Sequence, residues 1–225
     1  MGQCFFCQGI QTVTANNPLL QSHDLPPFSQ IRAEHVLPAI EAILADNRKA
    51  IAEILEKQGK NPTWAGLVLA IDELNDRLGA AWSPVSHLNA VCNSKELREA
   101  YESCLPALSA YSTELGQNRA LFDAYEALVN SPEAAGFDVA QKTILEHALR
   151  DFRLSGIDLP ADKQQRYAEV QSKLSELGSR FSNQLLDATQ AWTKHVTDEA
   201  VLDKKRAVIE AALARSRARR ENPSG

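Results

Sequence analysis

The sequence predicts an all-α fold: an antiparallel multi-helix array with one long C-terminal helix and no sheet. Apolar side chains recur every three to four residues over most of the 225-residue chain, which is the spacing of amphipathic helices. Ten glycines and ten prolines leave long runs of Ala, Leu, Glu, Lys and Gln, which favour helix. No segment shows the strict alternation of apolar and polar residues that a half-buried strand requires.

The first sixteen residues are expected to be a disordered N-terminal extension, because they show little periodicity. Cys4 and Cys7 have the spacing of a redox pair or of half a zinc knuckle. A redox pair normally follows a strand, and a zinc knuckle needs a second close pair, whereas Cys92 and Cys104 are twelve residues apart. Unpaired thiols are therefore the favoured interpretation, with Cys104 as a small core residue.

The first two helices are separated by clear stop and start signals. The first begins near Val36 and ends at Gly59, and the second is capped by Thr63 and ends at Gly79. The segment Trp82–Asn89 is predicted to be a polar and aromatic loop. Such a loop either lines a binding surface or caps the adjacent helices, and capping is the favoured interpretation.

The third and fourth helices follow this predicted loop. Asn93 and Glu96 form a capping box at the start of the third helix. Pro106 lies inside that helix and is expected to kink it or split it in two. A short fourth helix ends at Ser131-Pro132.

The last two elements are a fifth helix and the long helix. Asp138 and Gln141 form a second capping box, and Ser155-Gly156 ends the fifth helix. The long helix is predicted over residues 161–195, with a near-heptad apolar seam. This seam is expected to pack antiparallel on the chain's own helices, with a coiled-coil dimer as the alternative. The seam consists of Tyr167, Val170, Leu174, Leu177, Phe181, Leu185, Ala188 and Trp192.

The charge and hydropathy patterns exclude two classes of partner. The formal net charge of −5 is mild and gives no general affinity for nucleic acid. No apolar run approaches the roughly 20 residues that cross a bilayer, and the N-terminus lacks the pattern of a signal peptide. We therefore expect a cytoplasmic protein with no nucleic-acid and no membrane partner.

No catalytic, cofactor-binding or metal-binding residue is predicted. No two of the five histidines are four residues apart, so a zinc-binding helix cannot be assembled. His147 with Asp151, and His195 with Glu199, are mixed pairs at this spacing, and surface helix pairs are favoured over metal ligands. The sequence also lacks a nucleophile elbow and a phosphate-binding glycine loop.

The tail, residues 201–225, has a different character. Basic residues there face few acids, and a basic helical tail can bind nucleic acid or an acidic surface. No aromatic residue lies between these charges, so a solvated tail is the favoured interpretation. The basic residues are Lys204, Lys205, Arg206, Arg215, Arg217, Arg219 and Arg220.

Several segments, in order and spacing, resemble the N-terminal helical region of the M3 zinc oligopeptidases, in particular the oligopeptidase A-like members. The resemblance covers roughly residues 17–200, which we expect to be one helical domain. The segments are Asn17–Leu20, Leu25–Ser29, Trp82–Asn89, Glu96–Glu102, Ala148–Trp192 and Thr193–Glu199.

This resemblance implies a zinc endopeptidase that cuts short peptides inside a channel. In that family the N-terminal helices form a channel wall that restricts admission, and zinc is held by a His-Glu-x-x-His helix in a later catalytic domain. No such helix occurs in this sequence. We therefore expect a channel-wall domain that is inactive alone, binds no zinc, and works with short peptides and the missing catalytic domain.

The resemblance weakens near Val201, where the family would continue into a further helix. The tail therefore suggests a truncated, frameshifted or trimmed product. The alternative function is a stand-alone helical protein-interaction module that acts through the long helix or the tail.

Overall fold

A computed structural model describes residues 16–59, 61–193, 195 and 197–221. This part of the chain contains seven α-helices and no strand, which confirms the all-α prediction. All of the predicted extension 1–16 except Asn16 lies outside the described residues. The helices are α1 (Ala33–Gln58), α2 (Ala70–Val91), α3 (Lys95–Gly116), α4 (Arg119–Val129), α5 (Val139–Leu154), α6 (Ala161–Ala191) and α7 (Glu199–Glu221). Short 3₁₀ turns cover Pro18–Leu20 and Pro132–Gly136, and a π-helical turn, Trp64–Leu69, leads into α2.

The chain divides into two compact units between Arg180 and Phe181, within α6. The core of the first unit lies around α1, which packs against α2, α3 and α4. The central residues of its buried face are at most 1% exposed and follow the three-to-four-residue spacing of a helix face. These residues are Val36, Ala39, Ile40, Ile43 and Leu44.

Two predictions about where the second helix ends are wrong. Gly79 does not end the helix, and the predicted loop Trp82–Asn89 is helical, because α2 continues to Val91. A glycine in an exposed helix interior costs only about 1 kcal/mol. The burial of Ala81 and Val85, at 2% and 0% exposure, outweighs that cost.

The start of α3 is displaced by one residue from the predicted cap. Ser94 is the N-cap, and its Oγ accepts from the backbone N–H of Leu97 at 3.2 Å. The Asn93 side chain instead donates to the carbonyl oxygen of Asn89 at 2.9 Å. Asparagine and serine are comparable caps, so adjacent candidates cannot be separated by propensity alone.

Pro106 neither splits nor ends α3, since the helix runs unbroken from Lys95 to Gly116. Cys104 and Tyr111, on either side of the proline, are 0% and 3% exposed. Packing of both halves against the core therefore compensates for the lost backbone hydrogen bond.

The boundaries of α5 are those that the sequence predicts. Asp138 Oδ1 accepts from the Gln141 backbone N–H at 2.8 Å, and Gln141 Oε1 accepts from the Asp138 backbone N–H at 3.1 Å. At the other end, Ser155 is the C-cap and Gly156 has φ +85°, a conformation that favours glycine. The capping box and the glycine stop are both confirmed.

Replacing Asp138 with alanine should remove the reciprocal cap and lower the free energy of unfolding by about 0.5–2 kcal/mol. The measurement is urea unfolding followed by circular dichroism. The matched control is Asp162→Ala, since Asp162 lies in the first turn of α6 and makes only an exposed pair with Lys163 at 3.5 Å. Equal losses in the two variants would contradict the capping role.

Candidate functional site

Helix α6 exposes apolar side chains on the surface of the first unit. The helix buries none of its residues, and Leu174 and Leu177 are 58% and 46% exposed. The prediction that the seam packs on the chain's own helices is therefore wrong for these residues. In the second unit, Phe181 and Trp192 are also exposed, and Trp192 lies just beyond the helix end at Ala191.

Polar side chains join the start of α6 to the rest of the first unit. Gln164 Nε2 donates to the carbonyl oxygens of Gly156 and Ile157, at 3.2 and 3.1 Å. Gln117, just after α3, donates to the carbonyl oxygen of Ser155 at 3.1 Å. Gln117 Nε2 also donates to the carbonyl oxygen of Gln164 at 3.5 Å. These hydrogen bonds tie the start of α6 to the loop before it and to the end of α3.

A cleft of about 330 Å³ lies between α3 and α6. Its lining combines hydroxyl and amide groups with leucine and aromatic side chains and contains no formally charged residue. The Trp82 ring in its wall stacks on Tyr101, with ring centroids 4.7 Å apart. The lining residues are Trp82, Leu105, Leu108, Ser109, Ser112, Thr113, Ser155, Tyr167, Gln171, Leu174 and Ser175.

A larger groove, of about 1000 Å³, runs along α2, and we call it the α2 groove. One wall is a single face of α2, and the opposite wall is the segment before α1. The α2 wall contains Glu73, Leu74, Asp76, Arg77, Ala80, Ser83, Pro84 and His87. The opposite wall contains Pro18, Leu19, Leu20, Gln21, Ser22, His23, Pro26, Pro27 and Phe28.

Asn17 anchors the opposite wall of the α2 groove, which is the segment before α1. Its side chain is 1% exposed, accepts from the Leu19 backbone N–H at 3.0 Å, and donates to the carbonyl oxygen of His35 at 2.7 Å. Further along, the Phe28 and His87 rings lie 5.6 Å apart. The Pro18–Leu20 turn and residues 26–28 therefore line the groove opposite α2.

Sequence reasoning missed the α2 groove. Its signal is the spacing of Glu73, Asp76, Ala80, Ser83 and His87, which places them on one helix face. The signal was hidden because the prediction ended the helix at Gly79.

The zinc site that the resemblance implies lies in a later domain and not among the residues of this sequence. Within the described ranges, no group of three or more His, Cys, Asp or Glu residues is placed to hold a metal ion. His147 is exposed, and Asp151 Oδ1 accepts from Arg150 Nε at 2.9 Å. His195 and Glu199 are exposed as well. That this chain has no catalytic residue stays a prediction.

The two described cysteines differ in environment. Cys92 is exposed, whereas Cys104 is fully buried, and its Sγ donates to the carbonyl oxygen of Ala100 at 3.4 Å. Burial raises the pKa of the Cys104 thiol to about 11, so little thiolate exists at neutral pH. Cys104 is a core residue, as the sequence predicts, and Cys4 and Cys7 lie outside the described residues.

The basic tail forms most of α7. Lys204 and Lys205 are exposed, and Arg206 pairs with Asp203 at 3.5 Å. Within the part of the chain that the structure describes, no helix is both long and apolar enough to cross a membrane.

The chain is similar to known proteins over most of its length. Residues 40–164 match the family model of the neurolysin/thimet oligopeptidase N-terminal domain. The chain is 53% identical to oligopeptidase A of Haemophilus influenzae over 190 residues, which are 84% of this chain and 28% of that protein. It is 51% identical to oligopeptidase A of Escherichia coli over 205 residues, 91% of this chain and 30% of that protein.

A plant relative shows the same pattern at lower identity. The probable cytosolic oligopeptidase A of Arabidopsis thaliana is 35% identical over 189 residues, 84% of this chain and 27% of that protein. The chain thus spans less than a third of the length of the curated relatives that it matches. Because the family model covers more than half of the chain, the chain belongs to the neurolysin/thimet oligopeptidase family and carries the N-terminal domain of that family.

Proposed function

We propose that this chain is the channel-wall domain of an oligopeptidase A-like zinc metalloendopeptidase that degrades short peptides. In this proposal the catalytic zinc domain lies in another part of the enzyme, and the chain alone is inactive. The match to the family's N-terminal domain and the 50–53% identity to bacterial oligopeptidases A support the assignment.

The single observation that carries the channel-wall role is the uncovered apolar face of α6. Val170, Leu174 and Leu177 are 39%, 58% and 46% exposed along one side of the helix. Clustered apolar exposure of this kind marks an interface with another protein surface. Since the relatives are more than three times as long as the matched region, each has a further part that can cover this face.

Charge around this face also favours a packed interface. Arg166 pairs with Glu169 at 2.9 Å, and Lys173 pairs with Glu176 at 2.7 Å. Charges neutralised within the helix do not require new partners when the neighbouring apolar side chains are covered. The pattern suits a face that is covered by a largely apolar surface.

The proposed division of labour leaves bond cleavage to the catalytic domain. Zinc bound there would activate a water molecule for attack on the peptide bond. The residues of this chain contribute the wall: α1 supplies a rigid core, and the polar contacts of Gln164 hold α6 in position. Such a wall limits admission by size, so only short, unfolded peptides would reach the zinc.

The test compares the isolated chain with a full-length chimaera. In the chimaera, residues 17–200 replace the aligned stretch of Escherichia coli oligopeptidase A, which is 51% identical to this chain. We expect the chimaera to hydrolyse a fluorogenic short peptide, with loss of activity after chelation. We expect the isolated chain to show no hydrolysis and no stoichiometric zinc.

Two results would contradict the proposal. Chelator-sensitive hydrolysis by the isolated chain would show that it contains its own active site. A chimaera that is folded and loaded with zinc, yet inactive, would show that this domain cannot serve in such an enzyme. The cytoplasmic location stays a prediction.

A further inference from the structure

We infer that the α2 groove binds a short extended peptide, with a cationic group of the peptide next to Glu73 and Asp76 and apolar side chains toward Phe28. This inference goes beyond the proposed function, because it assigns peptide binding to this domain itself. It does not depend on the α6 face or on any catalytic domain.

The shape of the groove favours an extended ligand over a compact one. The α2 wall runs from Glu73 to His87, a rise of about 21 Å at 1.5 Å per residue. An extended peptide rises about 3.3 Å per residue, so about six residues match this length. The volume of about 1000 Å³ is at the upper end for ligand sites and leaves room for side chains.

The N-terminal end of the α2 wall is acidic. Glu73 and Asp76 are exposed and one helical turn apart, so both carboxylates lie on the groove side of α2. Within the described residues, neither carboxylate has an ion-pair partner. The nearby cation, Arg77, is paired with Asp46 at 3.0 Å. This end of the groove therefore favours a positive charge.

The other end of the groove is apolar and aromatic. Phe28 is 43% exposed and its ring lies 5.6 Å from the His87 ring, and the half-buried Pro27 and the buried Pro84 also line the groove. An exposed aromatic ring beside prolines offers contact area to an apolar side chain without first losing a hydrogen bond. The two ends together select a peptide that is cationic at one end and apolar at the other.

The cation can be a free α-amino group or a basic side chain, and three synthetic hexapeptides separate these sources. The first is acetyl-Arg-Ala-Ala-Leu-Ala-Phe-amide, and the second replaces Arg with Gln and leaves the amino group free. The third has Gln and the acetyl group and so carries no charge. Each is titrated into the ¹⁵N-labelled chain at low salt, and the amide shifts of residues 73–87 are followed by NMR.

We expect at least one cationic peptide to bind with a Kd below about 1 mM and to shift the amides of α2. The uncharged peptide should bind at least about threefold more weakly, and added salt should weaken the cationic peptides. The variant Glu73→Gln/Asp76→Asn should weaken the cationic peptides by about three- to tenfold. Its matched control is Glu53→Gln/Glu56→Gln, which removes two exposed charges at the same spacing on α1.

Three outcomes would overturn the inference. One is the absence of saturable shifts in α2 with either cationic peptide. Another is equal binding of charged and uncharged peptides. The third is an equal effect of the groove variant and the α1 control variant, which would show a response to net charge alone.

Discussion

Replacing Leu174 and Leu177 with glutamate in the full-length chimaera should lower kcat/KM for a short peptide at least about tenfold. If the rest of the enzyme covers the α6 face, the variant buries two unpaired carboxylates, and each costs several kcal/mol. In the isolated chain these side chains are 58% and 46% exposed, so the same variant should leave its melting temperature nearly unchanged. A large effect in the chimaera with a small one in the isolated chain is the expected signature.

The control for this experiment is Gln165→Glu/Ser172→Glu. These two residues are exposed and lie on the side of α6 opposite Leu174 and Leu177, at the helical repeat of 3.6 residues. The control adds the same charge to the same helix and should retain activity and stability. A leucine variant that is as active as the control would show that nothing in the enzyme covers this face.

The isolated chain also separates the proposed function from the alternative of an interaction module. Sedimentation of the unmodified chain should show a monomer at micromolar concentration. Concentration-dependent dimers that disappear in the variant Leu174→Glu/Leu177→Glu would instead favour a stand-alone module that associates through α6.

Local signals in the sequence predicted the helix ends that depend on neighbouring residues. The Asp138–Gln141 box and the Gly156 stop each act within about four residues of the backbone that they satisfy. The fold class follows for a similar reason, because the apolar spacing of α1 reports one buried face directly. Where the determining contacts are short-range, the pattern is sufficient.

Predictions failed where distant contacts decide the outcome. Gly79 is a helix terminator by local rules, but burial of Ala81 and Val85 carries α2 onward. The seam of α6 shows that the helix has an apolar face but contains no information about what covers it. The start of α6 is held by hydrogen bonds from Gln164 to the Gly156 and Ile157 carbonyl oxygens, and apolar periodicity does not report such polar contacts.

The α2 groove was unpredictable for the same reason. Its two walls come from segments about fifty residues apart in sequence. Asn17 ties one wall to the carbonyl oxygen of His35 in α1, and Phe28 contacts His87 in the other wall. Asn17 is polar and yet only 1% exposed, and the burial of a polar side chain cannot be predicted from a single sequence. Only the structure places the segment before α1 along the face of α2 that carries Glu73 and His87.

Replacing Ile40 with alanine should lower the free energy of unfolding by about 2–5 kcal/mol. Ile40 is fully buried in the N-terminal third of α1, the helix that α2, α3 and α4 all contact, so neighbouring groups cannot easily close the cavity. The loss combines the transfer free energy of the removed atoms with the cost of that cavity. Urea unfolding followed by circular dichroism and by tryptophan fluorescence measures it.

The chain offers a matched control for this core variant in Ile144→Ala. Ile144 is 47% exposed on α5, so the same substitution removes the same atoms from a site where water fills the space. Alanine also has the higher helix propensity, which offsets part of the lost contact at an exposed position. The control should therefore cost less than about 1 kcal/mol. Similar losses at the two positions would mean that α1 is not the centre of the core.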